Sequence, residues 1–184
     1  MTLIIGVRCK DGCLVISDYR NRIDTNGIIT YEDNFEKTMM HNNYIIYNHG
    51  YNRIEDKDWK IRDKDLTPDS NNPIYQQILN EMKNKSDKGA FYVFINKDEL
   101  HEVSIIVGQG VSYKNHLSDN TIISGTGGKY VDSKLLINLQ GQKCKKVKDK
   151  LKKTFNNAYD LMKFMSINKD EFSQKSCIKH LLAE

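Results

Sequence analysis

The chain has 184 residues and a formal net charge of only +4, with 28 Lys and Arg against 24 Asp and Glu. That length suits one domain with a real core, and that charge balance does not require a nucleic-acid partner. No apolar run approaches the ~18–20 residues of a membrane span and no charged-then-apolar leader precedes Thr2, so the expectation is a soluble, cytoplasmic protein with no membrane partner.

In chain order, Leu3 to Arg8 reads as a buried strand, Lys10-Asp11-Gly12 as a tight turn and Cys13 to Ser17 as the returning strand. Cys9 and Cys13 flank that turn and could face each other across it, although a reducing compartment argues against a disulfide. After Asp18 come Tyr19-Arg20-Asn21-Arg22 and then a polar loop with Asn26-Gly27, and Ile28 to Tyr31 reads as a short strand. Lys37 to His41 and Tyr44 to Asn48 form a second hairpin about Asn42-Asn43, closing at Gly50. Residues 51–66 are dense in charge, and Thr67 to Asn72 is loop chemistry.

Asn72-Pro73 supplies a cap and a first-turn proline for a helix that ends near Lys85. Ile74, Ile78, Leu79 and Met82 share its inner face. Ala90 to Asn96 and Glu99 to Val107 make a hairpin about Lys97-Asp98, closed by Gly108-Gln109-Gly110. Thr121 to Ile123 is a further strand, and Ser124 to Tyr130 a Gly-rich turn before a helix from Tyr130 to Leu139. The turn lacks the spacing of a phosphate-binding loop, so no cofactor is implied. Lys143 to Met165 reads as a long basic helix or helix pair, with Val147, Leu151 and Phe155 on its apolar stripe. Its lysines read as a solvated outer face, since no aromatics interleave them. A last strand runs from Cys177 to Leu182. No metal-ligand spacing is evident, and the five histidines are scattered, His49 alone lying near a candidate site position.

Strands in hairpins with helices in two blocks predict an α+β layered domain. Thr2 carries a second reading besides that of an ordinary residue after the start Met. Removal of Met1 would give it a free α-amine beside its own hydroxyl. An amine that titrates near ~7.7–8.0 suits a general base, and a hydroxyl activated by the N-terminal amine of its own residue is an established nucleophile.

The string Thr-x-x-x-Gly-Val-x-x-Lys-Asp-Gly-x-x-x-x-x-Asp, from Thr2 to Asp18, resembles the start of mature catalytic proteasome β-subunits. It also resembles the proteasome-related peptidase of bacterial two-component ATP-dependent proteases. Both are N-terminal-nucleophile hydrolases. The resemblance implies a four-layer αββα sandwich, two antiparallel sheets between helix layers, as one domain over residues 1–184. It implies a threonine-type endopeptidase with Thr2 as nucleophile, and Asp18 and Lys37 to tune it. The Gly50 N–H would hold the oxyanion, and Thr126, Asp170 and Ser173 would support the amine. Thr126 stands where the family has Ser, and the segment 51–72 stands where the family has a long amphipathic helix. Expected partners are a peptide or unfolded-protein substrate, copies of the same chain in a homo-oligomeric ring and an ATPase unfoldase, with no nucleic acid. Two further readings stay open: a non-catalytic proteasome-like structural subunit, and a transpeptidase or small-amide hydrolase using the same acyl-enzyme.

Overall fold

A computed structural model describes residues 3–18, 21–25, 27–32, 38–51, 53–54, 57–58, 66–96, 98–116, 121–125, 139, 141–155 and 176–182. The chain divides into two compact units, one of residues 1–36 and 118–184, the other of residues 37–117.

The first unit holds β1 (Ile4–Cys9), β2 (Gly12–Asp18), β12 (Thr121–Ser124) and β13 (Ser176–Leu182), in one four-stranded sheet of order β12-β1-β2-β13. All three pairings are antiparallel. Ile4 and Ile5 are consecutive and both fully buried, so β1 is covered on both faces, which is why it reads as an unbroken apolar run. Helix α2 (Cys144–Phe155) packs on the sheet and buries Val147 and Leu151, one 3.6-residue turn apart. The β1–β2 turn clasps the start of α2. Lys10 N–H donates to the Gln142 carbonyl at 3.0 Å, and the Cys144 N–H donates to Asp11 Oδ1 at 2.7 Å. An orphan helix N–H is thereby satisfied by a carboxylate at the positive end of the helix, and that bond holds the Asp11 carboxyl below its ordinary range.

Two expectations change here. The register sets Cys9 opposite Gly12 and Cys13 opposite Arg8, so the two cysteines lie on opposite faces of the hairpin, and neither is disulfide-bonded. Burial, and a hydrogen bond with Cys144, push the Cys9 thiol up. The polar stretch read as loop between Arg22 and Ile28 overlaps β3 (Asn21–Thr25), which pairs with β4 (Ile28–Glu32). Asn-Gly is a strong hairpin signal, but the strand carries one apolar residue, Ile23, and that residue is exposed. The helix expected over 130–139 lies outside the described residues except for Leu139, which is buried in a turn. The part of the basic helix beyond Phe155 lies outside them too.

The second unit is a five-stranded antiparallel sheet of order β11-β10-β9-β6-β5. Its strands are β5 (Thr38–His41), β6 (Tyr44–Gly50), β9 (Gly89–Ile95), β10 (Leu100–Ile106) and β11 (Gly110–Asn115). Between β6 and β9 come a two-residue pair, β7 (Arg53–Ile54) with β8 (Lys57–Asp58), and helix α1 (Pro73–Met82). The β5–β6 turn has Asn42 at φ +47 and Asn43 at φ +66. Both central residues are left-handed, as a type I′ turn requires, and asparagine tolerates that conformation.

Helix α1 begins as its sequence predicts: the Asn72 side chain accepts from the Ile74 N–H at 3.1 Å, and Pro73 stands at the first position. It ends at Met82, three residues before Lys85. Ile74, Tyr75, Ile78 and Met82 pack on the sheet face made by Ile46, Ala90, Tyr92, Phe94, Val103 and Ile105. Each large apolar side chain so buried contributes ~1.5–3 kcal/mol against conformational entropy. Tyr75 belongs to this core because its hydroxyl reaches the Thr67 carbonyl at 2.6 Å. The strand β11 goes beyond the sequence reading, which ended the hairpin at Gly110. Val111 packs against the core, but Ser112, Tyr113 and Lys114 at its centre are exposed, so the apolar pattern is too short to read as a strand.

Candidate functional site

Two strand-end regions, one in each unit, carry the residues singled out from sequence. In the first unit Ile4 pairs with Ser124 on one side and with Ser17 on the other, and Ser17 pairs with Cys177. One row across the sheet therefore reads Ser124, Ile4, Ser17, Cys177. It lies where β1 and β13 begin and where β2 and β12 end. Asp18, the last residue of β2, pairs with Ser176, the first of β13. Thr2, Thr126, Asp170 and Ser173 lie outside the described residues. In the chain they stand two residues before Ile4, two after Ser124, and six and three before Ser176.

Residues opposite each other in an antiparallel pair share a face, so Ser17 and Ser124 flank Ile4 on one face. They are 3 % and 5 % exposed, two hydroxyls buried in a row otherwise apolar. In the sequence Ser17 reads as the last residue of a strand and Ser124 as the first of the Gly-rich turn. The available signal was a hydroxyl closing each of two isoleucine-rich strands, at Ile16-Ser17 and Ile123-Ser124.

In the second unit, Gly50 ends β6 at φ +80, and a Cβ there would overlap the carbonyl oxygen of Gly89. Only glycine fits, both for its dihedral angle and for the close approach of the two backbones. Tyr51 N–H donates to that same Gly89 carbonyl at 2.8 Å. Antiparallel ladders alternate residues that exchange bonds with residues that point outward, so the Gly50 N–H is directed away from β9, toward the β5 side of β6. The last described pair on that side is Thr38 with Tyr47. Lys37, the residue before Thr38, lies outside the described residues. His49 stacks on Phe91 with ring centroids 4.5 Å apart and planes within 11°, a packed histidine beside the glycine. Gly89, which forces glycine at position 50, was not singled out from sequence, because its partner is 39 residues away in the chain.

Chemically, the second unit offers a backbone donor at a glycine strand end, and the first unit, taken by itself, a strand-end row lined by hydroxyls. Among the described residues no group of three His, Cys, Asp or Glu could hold a metal ion, and no helix is long and apolar enough to cross a membrane.

No family model matches the chain, and no curated protein matches it. Solved structures do. The chain is similar to Anbu (ancestral beta-subunit) from Yersinia bercovieri, with a TM-score of 0.56 at 10 % identity over 98 % of this chain and 81 % of that one. It is similar to an Anbu (Gly-1) mutant from Hyphomicrobium sp. strain MC1, with a TM-score of 0.57 at 8 % identity over 99 % of this chain and 82 % of that one. At that identity the likeness carries the fold: an α+β chain with antiparallel sheets, shared with an ancestral beta-subunit over nearly its full length.

Proposed function

We propose that the protein is a threonine-type peptide hydrolase of the proteasome β-subunit kind, with Thr2 as nucleophile once Met1 is removed. The observation that carries this reading is the row Ser124, Ile4, Ser17, Cys177. The chain segments bearing Thr2, Asp18, Thr126 and Ser173 all adjoin the strand ends that this row marks. The fold shared with an ancestral beta-subunit supports it, as does the glycine-only geometry at Gly50.

In this reading the Thr2 α-amine takes the proton of its own hydroxyl as Oγ attacks the peptide carbonyl. The Lys37 ammonium, charge-balanced by Asp18, stabilises the forming alkoxide. The Gly50 N–H donates to the oxyanion. The leaving amine departs with the proton, and water hydrolyses the acyl-threonine ester. Thr126 relays a proton through a bound water, and Asp170 and Ser173 hold the amine. The same reading takes residues 1–184 as one domain, a four-layer αββα sandwich. It also takes the working form as a homo-oligomeric ring fed with unfolded protein by an ATPase.

The test is intact-mass spectrometry after incubation with an epoxyketone or β-lactone, beside a Thr2→Ala control. The expected result is one adduct on the Met1-free protein and none on the control. Retention of Met1, or an equal adduct on the control, would remove Thr2 from the mechanism.

A further inference from the structure

A second chemical centre lies at the other end of the five-stranded sheet from Gly50, within the same unit. Glu99 follows the β9–β10 turn, where the Asn96 side chain accepts from the Asp98 N–H at 2.8 Å and the Glu99 N–H at 2.7 Å. That turn holds the Glu99 carboxylate over the sheet end. One of its oxygens, Oε2, gathers three donors: the Tyr44 hydroxyl, Asn96 Nδ2 at 3.0 Å and His101 Nε2 at 3.2 Å. His101 is 5 % exposed, and its other ring nitrogen, Nδ1, lies 2.9 Å from the Tyr113 hydroxyl. The β10–β11 register sets Val103 opposite Tyr113 and His101 opposite Asn115, so Tyr113 reaches the imidazole diagonally on one face, and the two rings stack.

The proton positions follow from the donor inventory. The bonds from Tyr44 and His101 hold the Glu99 carboxyl below its ordinary range, so it is an anion and accepts only. His101 Nε2 therefore carries the hydrogen. In the neutral imidazole Nδ1 is then the acceptor, and the Tyr113 hydroxyl donates to it. The series is carboxylate, imidazole, hydroxyl, the order in which an oriented base removes a proton from an oxygen nucleophile. Tyr113 is 42 % exposed, so an electrophile can approach it from solvent.

We propose that Glu99, His101 and Tyr113 form a second nucleophilic centre, in which the Tyr113 phenol accepts an acyl group from an activated acyl donor. Tyr113 Oη bonds to the acyl carbon as the bond from that carbon to its leaving group breaks. The phenolic proton passes to His101 Nδ1, the Glu99 carboxylate balances the imidazolium, and the leaving group departs with its electron pair and is protonated in turn. The product is an aryl ester on β11. Tyr44 and Asn96 are positioning residues for Glu99. This centre does not depend on Thr2 or on the hydrolase reading.

The experiment uses N-acetylimidazole on the full chain, with peptide mass spectrometry following acetylation at Tyr113. General-base assistance is worth ~10²–10⁴ in rate, so His101→Gln is expected to slow acetylation of Tyr113 at least ~10-fold, and Glu99→Gln by less. Circular dichroism checks that each variant is folded. A second measurement needs no variant: the solvent deuterium isotope effect on Tyr113 acetylation is compared with that on N-acetyltyrosinamide. A proton in flight to His101 gives Tyr113 the larger effect. A folded His101→Gln protein acetylated as fast as the parent, or an isotope effect no larger than that of the model compound, would overturn the proposal.

Discussion

The two ends of the five-stranded sheet solve the same problem by opposite means. At one end, Gly50 lets two backbones meet, and the useful group is a main-chain N–H aimed away from β9. No side chain is needed there, and none is tolerated. At the other end, Glu99, His101, Tyr44 and Tyr113 form a side-chain network around one carboxylate oxygen, anchored by the Asn96 turn. A backbone donor in a sheet is rigid because the ladder fixes it, so its failure modes are steric. A side-chain network is adjustable, and its failure modes are electrostatic. Substitutions at the two ends are therefore expected to fail differently.

The largest effect is expected from Gly50→Ala. The left-handed dihedral and the overlap with the Gly89 oxygen together cost about 2 kcal/mol or more, read as a lower urea midpoint at unchanged slope. The same variant is expected to lose the epoxyketone or β-lactone adduct, because the amide proposed to hold the oxyanion shifts. Unchanged stability would show that β6 and β9 can separate at this end, and the contrast between the ends would be lost.

Glu99→Gln comes next. The lowered carboxyl of Glu99 contributes stability above its unfolded value, about 4.3, and that contribution disappears as pH falls through the folded value. The substitution is thus expected to destabilise at pH 7 by about 1 kcal/mol or less, given the exposure of the carboxylate, and the gap to the parent is expected to close at acid pH. Tyr44, whose hydroxyl is pushed up to about 12 by burial and then by its bond to Glu99, is expected to ionise earlier in the variant, by ultraviolet titration. A gap independent of pH would mean that packing rather than charge holds this end.

The smallest effect is expected at the β5–β6 turn, which joins strands belonging to both ends. Asn43→Gly relieves a left-handed asparagine at φ +66, and its effect is expected within ~0.5 kcal/mol of zero, on the stabilising side, by thermal denaturation. A clear loss would assign the Asn43 side chain a bonding role in the turn.

The hairpins about Lys10-Asp11, Asn42-Asn43 and Lys97-Asp98 were legible because turn chemistry and apolar strands are local signals. So was α1, because a cap, a first-position proline and a 3.6-residue stripe all sit within a dozen residues. Strands β3 and β11 were not, because neither carries a run of apolar residues long enough to read as a buried strand. The candidate site was legible as far as a resemblance carries it. Of the residues it named, Gly50 is described in full and Asp18 through its backbone pairing with Ser176, while Thr2, Lys37, Thr126, Asp170 and Ser173 lie outside the described residues.

What the sequence by itself determined is the set of elements and their turns, since propensity, capping and period act over a few residues. The tertiary structure alone decided which strands are neighbours. It paired β1 with β12, across more than a hundred residues of chain, which brings Ser124 beside Ile4. It brought Gly89 against Gly50, and Tyr113 against His101. These contacts depend on sheet order and register, which are set by burying the apolar faces of whole strands at once rather than by any short stretch of residues.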